Sequence, residues 1–173
     1  MPLMRPNAPH HAVLFVCLGN ICRSPTAEAV FRAAAQRAGI ASRLTIDSAG
    51  TGEWHVGSPP DWRAIAHGAK RGYDLSSLRA RQITRDDFAR FDWMLAMDRS
   101  ILDDLAAMRP AGCAGHLGLF LDLAPHLKHR DVPDPYDRGA DVFETVLDLV
   151  EAASDALVER LAAPAEGARA AVR

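Results

Sequence analysis

"VLFVCLGNICRSPTAEAVFR", residues 13–32, passes without a break from an apolar run into a helical pattern, with Cys17 and Arg23 at the join. "AVLFV" (12–16) is continuously apolar, as in a strand whose sheet is covered on both faces. From Thr26 onward an alanine-rich helix is predicted, closed by Gly39. A strand that runs straight into a helix sets the pattern for the rest of the chain. "LTIDSAG" (44–50) reads as a second strand and "PDWRAIAHGAKRG" (60–72) as a helix stopped by Gly72. "TRDDFARF" (84–91) reads as a short helix with Thr84 as its cap, because the side-chain oxygen can take an orphan amide. "DWMLAM" (92–97) is a third strand, "RSILDDLAAM" (99–108) a helix and "LGLFLDL" (117–123) a fourth strand. A closing helix over 141–161 carries Val142, Val146, Leu149, Val150, Ala153, Leu157 and Leu161 on one apolar stripe.

Strands alternating with helices predict an α/β fold: an open parallel sheet with helices on both faces. In such sheets ligands bind beyond the carboxyl ends of the strands, and Cys17 stands at the end of the first. The 173 residues make one domain, long enough to bury a sizeable core. Residues 1–11 are expected to be a flexible tail and 163–173 a frayed one, leaving 12–162 as the folded domain. A net charge of -2 argues against a broad nucleic-acid face, so any anion site must be local. Three cysteines, Cys17, Cys22 and Cys113, make no disulfide scaffold and point to a reducing compartment. With no signal-peptide core and no run long enough to span a bilayer, a soluble cytoplasmic protein without membrane attachment is the expectation.

"CLGNICRS" has the makings of an anion cradle. Peptide units curling into a helix start can point their N–H groups inward, and the helix N-terminus adds partial positive charge. Gly19 and Asn20 are residues that accept positive φ. Pro25 suits the first helical position with Ser24 as the cap. Arg23 offers a planar fork matched to two oxygens of a phosphate. A thiol at the floor, between a helix N-terminus and a cation, is favoured as thiolate, the nucleophilic form. C-x5-R alone has little specificity; C-x5-R-S-P between a strand and a helix has much more. A nucleotide P-loop would need Gly-Lys-Ser/Thr here, and the cysteines and scattered histidines lack metal-ligand spacing, so neither a metal nor another cofactor is expected. His10 and His11 read as solvated tail, His116, His126 and His129 as surface, and Trp62 and Trp93 as packing residues.

The segment resembles the signature loop of the low-molecular-weight protein tyrosine phosphatases. The likeness continues through "DSAGTGEWHVGSPPDWRA", "LRARQIT", "FDWMLAMD" and "DVPDPYDRGADVFETV", about residues 12 to 160. It implies a flavodoxin-like four-stranded parallel sheet and hydrolysis of phosphotyrosine through a phosphocysteine. By resemblance Cys17 is the nucleophile, and Arg23 with the loop from Leu18 through Gly19, Asn20, Ile21, Cys22 and Ser24 holds the phosphate. Asp134 in "DPY" is the general acid and base, with Asp137 as the nearest rival. The prolines flanking Asp134 stiffen the backbone that carries it. Ser24 donates to the Cys17 sulfur, and Asn20 with Ser48 braces the loop. Ile21, Trp54 and Tyr136 wall a groove for a flat phenyl ring.

Ile21 stands where related protein-arginine phosphatases have Thr, which favours an aryl phosphate. The resemblance also implies a reversible Cys17–Cys22 disulfide on oxidation; the other reading of Cys22 is a small buried hydrophobe. Substrates would be phosphotyrosine proteins or aryl phosphates, inorganic phosphate would be product and competitive inhibitor, and the chain would be a monomer or weak dimer. Leu78 departs from the pattern: many relatives have a His there that joins the network around Asn20 and Ser48. An arsenate reductase of the same fold would need resolving cysteines near residues 80–95, where there are none. A non-catalytic phosphopeptide-binding module would be expected to lack the nucleophile or the acid, and both are present.

Overall fold

The computed structural model describes residues 9–163. The chain runs β1 (His11–Cys17), α1 (Arg23–Arg37), β2 (Leu44–Gly50), α2 (Trp62–Lys70) and α3 (Asp87–Arg90). It continues through β3 (Trp93–Ala96), α4 (Arg99–Met108), β4 (His116–Leu119) and α5 (Ala140–Ala162). The strands form one sheet of order β2-β1-β3-β4 with every pairing parallel. After β2 the chain crosses to the other side of β1 to add β3, so the direction of winding reverses at the carboxyl end of β1. That reversal opens a crevice, and Cys17, paired with Gly50 at the edge of β2, stands at its floor.

The unbroken apolar run of β1 follows from burial on both faces. Val13, Phe15 and Cys17 join a core with Phe31 of α1 and Val150 and Leu157 of α5. Leu14 and Val16 point the other way, into a core with Phe88, Ile101 and Leu105 of α3 and α4. Phe15 is fully buried and meets Phe31 and Phe120 edge-on at 5.6 and 4.9 Å between ring centroids. Asp61 caps α2 by accepting from the amide of Arg63.

Several expectations are corrected. β4 stops at Leu119, and Phe120–Leu123 form a 3-10 turn that drives Phe120 and Leu121 into the core; the apolar content predicted as strand is used for packing. The helix predicted over 84–91 is confined to Asp87–Arg90. Thr84 does not cap it; instead its amide and hydroxyl both donate to the buried Asp87 carboxylate. Trp62 is exposed at the first residue of α2 rather than packed. Trp93, partly buried against the α5 core, does pack. Order begins before residue 12: His11 opens β1, and the His10 ring lies 2.8 Å from the Thr45 hydroxyl. The tail expectations for 1–8 and 164–173 lie outside the described residues.

Candidate active site

The loop between β1 and α1 turns through Asn20, whose φ of 55° is the one positive value at a non-glycine among the described residues. Gly19, expected to share that conformation, does not; it lies close under His55, whose ring would stand 3.1 Å from a Cβ there and would have to shift by a few tenths of an ångström. Gly50 is needed for space, its Cβ position lying 2.7 Å from the Leu18 carbonyl oxygen, a backbone atom that crosses over it. α1 starts at Arg23 with Cys22 as the cap residue. Ser24 and Pro25 are thus two residues further in than predicted, at the second and third helical positions. Proline still costs nothing there, since the first-turn amides have no intrahelical partner.

Ser24 is spared capping because its hydroxyl belongs to another network. Its Oγ lies 2.9 Å from Cys17 Sγ and accepts from Asn20 Nδ2 at 2.8 Å. The Arg81 amide donates to Asn20 Oδ1 at 3.0 Å, which fixes the amide orientation and leaves Nδ2 to donate also to Ser48 Oγ at 3.0 Å. Asn20 occupies one Ser24 lone pair; when the sulfur is a thiolate it can only accept, and the Ser24 hydroxyl is then the donor between them. The Asn20 amide also points at Cys17 Sγ, 3.3 Å away. Among the described residues, the amides of Leu18, Gly19, Ile21, Cys22 and Arg23 donate to no protein acceptor. They form the concave donor array that suits an anion.

Ser48, the partner of Asn20, is braced from α1. The Ser48 hydroxyl donates to Glu28 Oε1 at 2.8 Å, and Arg32 donates to Glu28 Oε2 at 3.1 Å and to the Ile46 carbonyl at 3.0 Å. Burial pushes the Glu28 carboxyl up, opposed by those hydrogen bonds. Leu78 instead packs behind the loop with Ile21, Cys22, Leu75 and Ala80. Glu28 and Arg32 carry no signal in the sequence beyond their spacing of one helical turn.

Arg23 is 3% exposed. Its Nη1 donates to Asp98 Oδ2 at 2.5 Å and to the Val132 carbonyl at 3.2 Å, while Nη2 lies 3.7 Å from Asp134 Oδ2. Burial opposes its charge, but the Cys17 sulfur and the Asp98 and Asp134 carboxylates outweigh this and hold the guanidinium firmly protonated. Asp98 also caps α4 by accepting from the Ile101 amide, so one carboxylate fixes both the arginine and the helix beside it. Its place in "MDRS" identifies it as a cap only in retrospect. Burial, and after it the Asp61 charge, pushes the Cys22 thiol far up, so it stays protonated beside Cys17.

One pocket is lined by Cys17, Leu18, Gly19, Ile21, Cys22, Arg23, Trp54, His55, Asp134 and Tyr136. Trp54 and Tyr136 stand exposed at its mouth, and Ile21 is buried in its wall. Of the residues singled out from the sequence, Asn20, Ser24 and Ser48 lie behind the pocket and the rest line it. Asp137 is exposed and does not line it. His55 was not foreseen; its ring is 6.4 Å from that of Tyr136. Cys113 lies with the α3–α4 core, on the opposite face of the sheet from α1 and α5.

Residues 12–166 match the family model described as low molecular weight phosphotyrosine protein phosphatase. A protein of that name from Schizosaccharomyces pombe is 47% identical over 132 residues, covering 76% of this chain and 84% of its own. The crystal structure of a protein tyrosine phosphatase from Entamoeba histolytica superposes with a TM-score of 0.84 at 37% identity, covering 87% of this chain and 96% of that one. A Drosophila arginine phosphatase superposes with a TM-score of 0.83 at 26% identity, covering 90% and 99%. A sulfur-floored anion loop at the switch point of a four-stranded parallel sheet, matched over nearly the whole domain, makes this chain a member of the low molecular weight phosphotyrosine protein phosphatase family.

Proposed function

We propose that the chain hydrolyses phosphotyrosine in proteins, and simple aryl phosphates, through a phosphocysteine at Cys17. The observation that carries this reading is the convergence in one pocket of Cys17, the buried Arg23 and Asp134, with the Ser24 hydroxyl 2.9 Å from the sulfur. With Nη1 committed to Asp98 and Val132, Nε and Nη2 of Arg23 remain for two phosphoryl oxygens. The loop amides from Leu18 to Arg23 take the others, stabilising charge as it spreads over the transferring group. The Cys17 thiolate forms an S–P bond as the P–O bond to the phenol breaks, and Asp134 gives its proton to the departing oxygen. In the second step water attacks phosphorus and yields a proton to Asp134. The S–P bond breaks, and Ser24 stabilises the thiolate that leaves. Inorganic phosphate departs last and competes with substrate for the same donors.

Ile21, Trp54 and Tyr136 supply apolar walls for the phenyl ring. This favours phosphotyrosine over the phosphoarginine processed by a structural relative. The arsenate reductase reading has no support from Cys113, which packs with the α3–α4 core. The working unit runs from β1, which opens at His11, through α5, expected from the sequence as 12–162, and acts as a monomer or weak dimer. A cytoplasmic setting suits a mechanism that needs free thiols, and among the described residues no helix is long and apolar enough to cross a membrane. A comparison of a phosphotyrosine peptide, phosphoarginine and arsenate with thiol as substrates tests the reading. Hydrolysis of the first well above turnover of the others is expected, and preference for either of the others would overturn it.

A further inference from the structure

The segment carrying Asp134, between the 3-10 turn ending at Leu123 and α5, has no helix or strand of its own. One guanidinium from α2 nevertheless ties it down. Arg63 Nη2 donates to the Tyr136 carbonyl at 2.8 Å. Nε and Nη2 grip the two Asp61 carboxylate oxygens at 3.0 Å each. The guanidinium lies over the Phe143 ring at 4.9 Å and faces the Tyr136 ring at 5.8 Å. At one end of this clamp the Asp61 amide donates to the Ile21 carbonyl of the phosphate loop at 2.8 Å. At the other end the Tyr136 amide donates to Asp134 Oδ1 at 3.1 Å. The contacts run unbroken from the floor of the pocket to the acid above it.

We propose that Arg63 is a positioning residue for the general acid, holding the Asp134 segment in register with the phosphate loop through Asp61 and the Tyr136 carbonyl. The inference rests on the reading of Asp134 as proton donor. Pro133 and Pro135 restrict the backbone on either side of Asp134, so a fixed carbonyl at Tyr136 constrains the carboxyl two residues away. Asp61 is 10% exposed at its side chain and caps α2, which makes it a rigid anchor. The fork geometry matters as well as the charge: a lysine ammonium is a point donor and cannot hold Asp61 in two bonds while reaching Tyr136.

The test is kcat/KM of Arg63→Ala and Arg63→Lys on phenyl phosphate and p-nitrophenyl phosphate, in the parent and in the Asp134→Asn background. Phenolate is the poorer leaving group and needs the proton more. Arg63→Ala is expected to lower kcat/KM on phenyl phosphate by about tenfold or more, a fraction of what general-acid catalysis is worth, and to affect p-nitrophenyl phosphate markedly less. Arg63→Lys recovers part of the loss, and carries the same comparison if the alanine variant does not fold. In the Asp134→Asn background the Arg63 effect disappears. Equal losses on both substrates, an undiminished loss without Asp134, or no loss at all would overturn the proposal and leave the phosphatase reading standing. A parent protein inactive on both esters would overturn that reading and this proposal together.

Discussion

Replacing Ser24 by Ala isolates the hydroxyl that faces the nucleophile. The Arg81 amide fixes the Asn20 carboxamide and Asn20 donates to Ser24, while a Cys17 thiolate, 2.9 Å away, can only accept, so the Ser24 proton goes to the sulfur in that state. The rival acceptor, the Ala49 carbonyl, is 3.4 Å off. A hydrogen bond to a charged group contributes about 1.5–3 kcal/mol, and its full value is needed when the thiolate departs from phosphocysteine. At roughly 1.4 kcal/mol per decade, breakdown of the intermediate slows by about 10- to 150-fold. Formation of the intermediate loses less, because there the thiolate is consumed rather than released. The assay is rapid mixing with p-nitrophenyl phosphate, reading the burst of nitrophenol and the steady rate after it. Ser24→Ala should give a burst close to one per site followed by a slow steady state. A variant without a burst, slowed equally in both phases, would refute the assigned direction of the hydrogen bond.

Three further outcomes follow from the charges and thiols around the loop. Asp87 is fully buried; burial works against its charge, but Arg81 at 3.0 and 3.1 Å and the Thr84 donors hold its carboxyl below the ordinary range. Its contribution is therefore present above the unfolded carboxyl value of roughly 3.9 and is lost as pH falls through the lower native value. Asp87→Asn should cost about 3–5 kcal/mol near neutrality in urea denaturation, with the gap to the parent closing in acid; a pH-independent gap contradicts the pairing. Glu28 has the opposite sign: its native carboxyl is raised by burial, so the parent loses stability as pH rises through it. Glu28→Gln should gain relative to the parent on going from acid to neutral pH, and a gap moving the other way would show that Ser48 and Arg32 outweigh burial. Peroxide should convert Cys17 to a sulfenic acid that the protonated Cys22 thiol condenses with, releasing water. Mass mapping should find a Cys17–Cys22 disulfide and thiol should restore activity; irreversible loss without that linkage means no redox lock.

The sheet was legible because residues 12–16 of β1 are all apolar, as a strand covered on both faces requires, and because strands and helices alternate along the chain. Phe120 and Leu121 misled for the same reason: a short apolar run does not say whether it extends a strand or turns under it. Within the site, residues adjacent in sequence were readable, since C-x5-R-S-P compresses nucleophile, cation and hydroxyl into one turn. The residues that hold them were not. Asp98, Glu28, Arg32, Asp61 and Arg63 reach the loop from other elements, and an isolated carboxylate or arginine on a helix looks like a solvated face until its partner is placed. Ser24 was misread as a cap because a serine before a helix usually caps it. The resemblance pointed its hydroxyl at Cys17 instead, and the structure places it 2.9 Å from that sulfur and 2.8 Å from Asn20 Nδ2.

A covalent bond between Cys17 and phosphorus is the step on which the proposed hydrolysis depends. Acid quenching during turnover of a phosphotyrosine peptide, followed by peptide mass analysis under conditions that preserve phosphocysteine, measures it directly. One phosphoryl group is expected on the peptide containing Cys17, more of it in Ser24→Ala, and none in a Cys17→Ser protein that still binds phosphate but does not turn over. Phosphoryl transfer to another residue, or full turnover by Cys17→Ser, would contradict it.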